Sequence, residues 1–384
     1  MPDDARTPSL DDAADSGAGV ALPDAEHFVR RYYLLTGPDD LAGRPRETLT
    51  RIARNHLSLG AHRQPNETRL RVFTPRRDAD GWQAPCSIVE IVTDDMPFLL
   101  DSTTSALVSM GIGVREVVHP ILRVRRDAAG NWLGLAEEDT PGDTALKESF
   151  IHIEIDEQPD DAALAELARH LTTVLADVRA AVGDWDLMRA KVGDAAEYLS
   201  VADLPVPDAE RDEAVAFLNW LADDNFTLLG YREYKLIEDA DGLALAMLPA
   251  SGLGILRDPN RRFLRDTSGS VRLPAEIAPL VLKPEAMIVT KSSVRATVHR
   301  TTHMDHIGVK VFGPDGRVAG ERRIIGLFTS SAYHRSARQI PLIRRKVRQV
   351  AERAGFAANS HDSKALANIL EMFPRDELFQ LDPA

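Results

Sequence analysis

The chain has 384 residues, 44% of them hydrophobic and 27% charged, the balance of a folded protein with about two to three domains. Its 46 Lys and Arg against 59 Asp and Glu leave a net charge of −13, which repels nucleic acid and anionic lipid wherever no local patch is basic. The single cysteine, Cys86, excludes an internal disulfide and fits a reducing compartment; no run approaches the roughly eighteen apolar residues of a bilayer span. The N-terminus is acidic rather than basic and then apolar, so a cytoplasmic location is expected.

Residues 1–24 read as a flexible acidic tail, with too few apolar side chains to offset ordering entropy. Phe28, Val29, Tyr32 and Tyr33 mark a short helix. Leu49, Ile52, Ala53, His56 and Leu57 recur at helical spacing and mark a second. Strands follow at 68–74 (TRLRVFT) and 87–93 (SIVEIVT). After the acidic corner Thr93-Asp94-Asp95-Met96-Pro97 comes a helix with Leu99, Leu100, Ala106 and Leu107 on one face, closed by Gly111. Val114 to Val124 is a strand interrupted at His119-Pro120, and FIHIEI (150–155) alternates cleanly. Leu164, Leu167, Leu171, Leu175 and Val178 form a strong amphipathic helix that is expected to run on past Trp185. Strand, helix, strand, strand, helix is the ferredoxin-like order, with the 68–74 strand available for the remaining sheet edge.

Leu204-Pro205-Val206-Pro207 reads as a linker. A helix over Ala214, Phe217, Leu218 and Leu221 then precedes a hairpin around residues 238–242, an extended stretch from Met287 to Thr297, and a second hairpin about Gly313-Pro314-Asp315-Gly316. Ile343, Val347 and Ala351 share a helix face, and Leu366, Ile369 and Leu370 another, the latter N-capped by Ser360 or Asp362 and stopped by Pro374. The fold class is therefore multidomain α+β, with helical segments at both ends.

The common signatures of chemistry are missing from the sequence: no G-x-G-x-x-G, no phosphate loop, no H-E-x-x-H and no cysteine pair for zinc. His299, His303, Asp305 and His306 lie in a β-branched stretch, and strand alternation points His306 away from the other two histidines, so no metal site is assigned. Ser360-His361-Asp362 is a helix cap rather than a triad, because adjacent residues cannot converge as a triad must. Arg322, Arg323, Arg335, Arg338, Arg344, Arg345, Lys346 and Arg348 are read as a solvated face or inter-element ion pairs rather than a nucleic-acid patch. No catalytic residue is assigned.

VEIVTDDMPFLLDSTTSALVSMGIGV (89–114) resembles the first strand, loop and helix of an ACT domain through Asp95, Pro97, Leu99, Leu100, Gly111, Ile112 and Val114. A wider set of strings resembles the N-terminal region of the large bacterial NAD-dependent glutamate dehydrogenases: MPFLLDS (96–102), HPIL (119–122), FLNWLADDNFTLLGYREY (217–234), SGLGILR (251–257), GLFTSSAY (326–333), IPLIRRKV (340–347) and HDSKALANILEMFPRDELFQ (361–380). The resemblance implies a helical segment at 25–65, an ACT-like domain with an extended second helix at 66–203, a PAS-like α+β domain at 204–338 and a C-terminal helical segment at 339–384.

It further implies a non-catalytic regulatory and oligomerisation region. The parent enzyme would oxidise L-glutamate with NAD, and this chain would itself hold no cofactor. Its expected partners are its own C-terminal catalytic region, further copies in a homo-oligomer and an amino-acid effector, with no nucleic acid and no membrane. The effector or interface site is placed at Asp94, Asp95, Met96, Phe98, Leu99 and Asp101, with Val117 and His119 on the neighbouring strand. Amino-acid-binding ACT domains usually carry glycine where this chain has Phe98, so packing at that corner is as good a reading as binding. The alternatives are a stand-alone sensor with the same two domains and a scaffold that binds nothing small.

Overall fold

The computed structural model of the protein describes residues 22–37, 41, 43–136, 144–239, 242–258, 270–357 and 360–381. The expected acidic tail lies outside these except for 22–24. The chain divides into two units, residues 1–178 and 179–384, and each is built on its own antiparallel sheet.

The first unit opens with helices α1 (Ala25–Tyr32) and α2 (Arg46–Leu59). Six strands follow: β1 (Arg69–Phe73), β2 (Ser87–Asp94), β3 (Val114–Val118), β4 (Ile121–Arg126), β5 (Trp132–Leu135) and β6 (Leu146–Ile155). Helix α3 (Leu99–Ser109) joins β2 to β3, and α4 (Asp161–Gly183) follows β6. The sheet order is β1-β2-β6-β4-β5, with β3 also on β6. Strands β3 and β4 run along the same partner, Val118 opposite His152 and Ile121 opposite Ser149. Pro120, which has no N–H to give the ladder, separates them, though its carbonyl still accepts from the Phe150 amide at 3.0 Å. The order β2, α3, β3/β4, β6, α4 is the one expected, and β1 takes the edge beside β2.

Strand β6 is buried from Glu148 through Ile155, so the sheet is covered on both faces. Side chains alternate between faces. Phe150 faces α1 and α2, where it meets Phe28 edge-on at 5.1 Å between ring centroids and packs with Tyr32, Leu57, Trp132 and Val92. Ile151, Ile153 and Ile155 alternate to the other face and are fully buried, as are Leu107 of α3 and Leu167 and Leu171 of α4 to within 1%. Residues Glu148, His152 and Glu154 share the first face with Phe150, and each is neutralised locally. Arg63, itself fully buried, bridges Glu148 (2.8 Å) and Asp94 (2.9 Å). Arg126 grips both oxygens of Glu148 at 2.6 and 2.8 Å. Breaking a buried pair by removing one partner costs about 3–5 kcal/mol, while an exposed pair contributes under about 1 kcal/mol.

The second unit contains α5 (Trp185–Val201), α6 (Asp208–Trp220) and strands β7 (Phe226–Asp239), β8 (Gly242–Met247), β9 (Leu253–Gly254), β10 (Ser270–Arg272), β11 (Met287–Arg295), β12 (His303–Phe312) and β13 (Val318–Phe328). Helices α7 (Ile343–Arg353), α8 (His361–Leu370) and α9 (Arg375–Gln380) close it. The strands lie in the order β10-β8-β7-β13-β12-β11, with β9 on β7. One core joins Met188 and Leu199 of α5, Phe217 of α6, Ile307, Ile324 and Phe328 of the sheet, and Ile343, Leu370 and Phe379 of the closing helices. Phe328 stacks on Phe379 at 4.7 Å.

The helix expected to run on past Trp185 ends at Gly183, and α5 restarts at Trp185. The intervening Asp184 is buried; its carboxylate accepts from the Gly254 amide at 2.8 Å and pairs with Arg257. The break thus coincides with a carboxylate turned inward onto a neighbouring loop. Ser360 caps α8, its hydroxyl accepting from the Ser363 amide at 3.1 Å. His303 and His306 lie on β12 at positions of opposite facing, and His306 bonds Thr290 and Glu321 at 3.0 Å each. Arg344 and Arg345 pair with Glu213 and Glu210. The short strands β5, β9 and β10 have too few residues to show a period of two and were not expected.

Glu321 is buried between Arg323 (2.7 Å) and His306 (3.0 Å). Burial opposes its charge, and the Arg323 guanidinium together with the His306 contact outweighs burial, so its carboxyl titrates well below the usual 4.5. A lowered carboxyl pKa stabilises the fold above the unfolded value and loses that contribution as pH falls below it. Two outcomes follow for urea unfolding. Arg63→Ala destabilises the first unit by roughly 3–5 kcal/mol, whereas Arg115→Ala, which breaks the exposed Arg115–Asp156 pair, costs under about 1 kcal/mol. Glu321→Gln destabilises the second unit at pH 7 by roughly 3 kcal/mol, and its deficit relative to the unmodified protein narrows below pH 4.5.

Candidate functional site

The corner after β2 carries the residues expected from the sequence. Asp94 ends the strand, and its carboxylate accepts from Arg63 (2.9 Å) and the Asn66 amide (2.8 Å); it secures a loop. Asp95 accepts from the Ser149 hydroxyl at 2.7 Å. Phe98 is the N-cap of α3 and adopts φ 71°, ψ 1°, a left-handed conformation that glycine adopts without steric cost. The chain therefore keeps a glycine-like backbone while carrying a half-buried phenyl ring. Leu99 is buried, Met96 half-buried and Asp101 exposed at the helix start, where its negative charge suits the macrodipole. Val117 pairs with Ile153 on the α3 side of the sheet. Burial lowers the pKa of His119, with the Asp95 charge opposing it, and its buried Nε2 has no hydrogen-bond partner. Asp95 and His119 are thus within electrostatic reach, while Asp94 is turned to the opposite face.

A second grouping lies under α2, and the sequence reading assigned it no role. His56, Glu90 and His152 are all buried, with ligand-type atoms within 4.8 Å of one another. Glu90 and His152 are direct cross-strand partners on β2 and β6. The His152 ring sits 3.5 Å through Nδ1 from Glu90 and 3.8 Å through Nε2 from Glu154. Burial disfavours its charge, yet the two carboxylates together raise its pKa above the ordinary 6.5. Burial brings the neighbouring His56 down to about 4. His56 Nε2 lies 3.1 Å from the Ile91 carbonyl, so it is the donor nitrogen, and Nδ1 accepts from the Tyr32 hydroxyl at 2.7 Å. Arg44 pairs with Glu154 and, at 2.6 Å, with Glu116, tying the segment before α2 to the sheet. The signal in the sequence was polar residues at inward positions: Glu90 in SIVEIVT, and His152 and Glu154 in FIHIEI.

The glutamate dehydrogenase ACT1 domain family matches residues 28–171, and the glutamate dehydrogenase helical motif 1 family matches 340–384. The NAD-specific glutamate dehydrogenase of Halomonas elongata is 34% identical over 360 residues, 94% of this chain and 22% of the relative. That of Pseudomonas aeruginosa is 32% identical over the same shares. The Mycobacterium tuberculosis protein of that name is 29% identical over 85% of this chain and 19% of its own length. The chain spans about a fifth of the curated relatives it matches. An ACT-bearing α+β region of this kind, matched almost end to end, belongs to the large NAD-specific glutamate dehydrogenase family and corresponds to its N-terminal region. Among the described residues no helix is long and apolar enough to cross a membrane.

Replacing Phe98 tests whether its ring or its backbone matters. Phe98→Gly relieves roughly 1–2 kcal/mol of left-handed strain and forfeits part of the roughly 1.5–3 kcal/mol of a fully buried ring. Equilibrium unfolding is expected to move by less than about 1 kcal/mol in either direction; a loss beyond about 3 kcal/mol would make the ring a core element.

Proposed function

We propose that this chain is the regulatory and assembly region of a cytoplasmic NAD-dependent glutamate dehydrogenase and carries no catalytic group of its own. The parent reaction is oxidation of L-glutamate with NAD and water to 2-oxoglutarate, ammonium and NADH, performed by the chain's C-terminal catalytic region. The single observation that carries the reading is the ACT1 match over 28–171 joined to the helical-motif match over 340–384, within relatives several times longer. The second unit is read as PAS-like: numbered within the unit, the five long strands β8-β7-β13-β12-β11 run 2-1-5-4-3. The unit's partners are the catalytic region and further copies in a homo-oligomer.

An amino-acid effector is assigned to the corner of Asp95, Met96, Phe98, Leu99, Val117 and His119, with Asp94 and Asp101 at its margin. Asp95 would take the ammonium group and the α3 N-terminus the carboxylate. Such an effector regulates only by preferring one conformation of the parent enzyme over another. A thermal-shift screen with amino acids, 2-oxoglutarate and NAD tests this directly. A true effector at about a hundred times its dissociation constant adds roughly 2.7 kcal/mol to stability. A selective shift that is lost in Asp95→Asn supports a sensor at this corner. A flat screen transfers the role to assembly, with Phe98 filling the space.

A further inference from the structure

We propose that His56, Glu90 and His152 form a structural site for a transition-metal dication of the zinc class, buried between α2 and the sheet. The donor set decides the class of ion. Two imidazoles and one carboxylate suit zinc, cobalt or nickel, whereas magnesium and calcium take oxygen ligands. The spacing agrees. With metal–ligand bonds of about 2.0–2.2 Å, tetrahedral ligands lie roughly 3.3 Å apart, and Glu90 Oε1 is 3.5 Å from His152 Nδ1. A ring nitrogen of His56 completes the set within side-chain adjustment, since one ligand-type atom of each residue falls within 4.8 Å of the others.

The independent observation is what these groups lack. Glu90 is fully buried and His152 is 2% exposed, yet both Glu90 oxygens and both His152 nitrogens have no hydrogen-bond partner. Their 3.5 Å ion contact offsets part of the cost of leaving such groups without hydrogen bonds, and a dication satisfies both residues at once.

The surrounding shell has part of the form that metal-bound histidines require, in which each ring donates its other N–H to an oxygen. His56 Nε2 donates to the Ile91 carbonyl at 3.1 Å, which fixes the tautomer and leaves Nδ1 as the ligand atom. The Tyr32 hydroxyl now holds that lone pair at 2.7 Å; it turns aside, or stays as the fourth ligand. His152 Nε2 faces the Glu154 carboxylate, which Arg44 holds from behind. The charges close as well: the dication balances Glu90 and Glu154, and Arg44 balances Glu116. Because the site is buried the ion enters as the unit folds.

The test is to unfold the full 384-residue chain in denaturant with a chelator and refold it with zinc or without. Elemental analysis after gel filtration is expected to find about one zinc per chain, with a raised Tm. Cobalt in its place should give the visible absorption of a four-coordinate nitrogen–oxygen site. Glu90→Gln and His152→Gln should lower retention more than tenfold, Glu154→Gln roughly tenfold as an outer-shell change, and His27→Ala and His62→Ala not at all. No stoichiometric ion in the unmodified protein overturns the proposal, as does unchanged retention in folded Glu90→Gln and His152→Gln. Should those variants not fold, X-ray absorption of the zinc-loaded unmodified protein decides. Two imidazoles with oxygen ligands uphold the site; sulfur or fewer than two imidazoles overturns it.

Discussion

A strand covered on both faces must neutralise every charge it carries, and β6 imposes that demand on the whole first unit. Its Glu148, His152 and Glu154 all face α1 and α2, where water is excluded. Two counter-charges come from outside the sheet, Arg44 from the segment before α2 and Arg63 from the loop after it, and a third, Arg126, from the end of the neighbouring strand β4. The desolvation of one strand is therefore what holds two connecting segments and the end of β4 in place. Buried ion pairs of this kind add little net stability over apolar packing, but they tolerate few alternative arrangements of the loops that supply them.

The second unit solves the same problem with fewer groups. On the sheet face opposite the α5 and α6 core, Glu321 sits between Arg323 and His306. Lys310 reaches the carbonyls of Leu280 and Lys283 at 2.9 and 2.6 Å. Arg232, opposite Arg323 in the register, spends its donors on the carbonyls of Leu256 and Asp258. For Lys310 and Arg232 main-chain carbonyls take the place of carboxylates, so backbone rather than side chains is what these two sheet charges hold in place.

Much of this was legible in the sequence because it follows from period and punctuation. The helix face of His56 and Leu57, the strand break at His119-Pro120, the hairpin at Gly313–Gly316 and the Ser360 cap each rest on a local rule that the tertiary structure obeys. The features that escaped are those set by a partner far away in the chain. The helix breaks at Asp184, whose carboxylate meets Gly254 and Arg257, and no pattern around Trp185 carries that information. The Arg63 partner of Asp94 lies 31 residues away and leaves no mark in the pattern around the corner. The His56, Glu90 and His152 grouping was hidden for the opposite reason. Each residue sits at a regular inward position in an otherwise apolar pattern, and only the cross-strand register brings the three together. Phe98 was singled out correctly as unusual, but its left-handed backbone became visible only with the structure.

The place of β6 in the chain also has a consequence for synthesis. It is the last of the first unit's strands to be made and the centre of the sheet, pairing with β2, β3 and β4. Until it emerges from the ribosome, β2 has only its β1 neighbour, and the faces of α1 and α2 bearing Phe28, Tyr32 and Leu57 have no floor to rest on. The unit cannot condense progressively from its N-terminus; it must wait with apolar surface uncovered and then close in one cooperative step. A nascent chain stalled before residue 146 would present that surface to chaperones, and one stalled well beyond 155 would not.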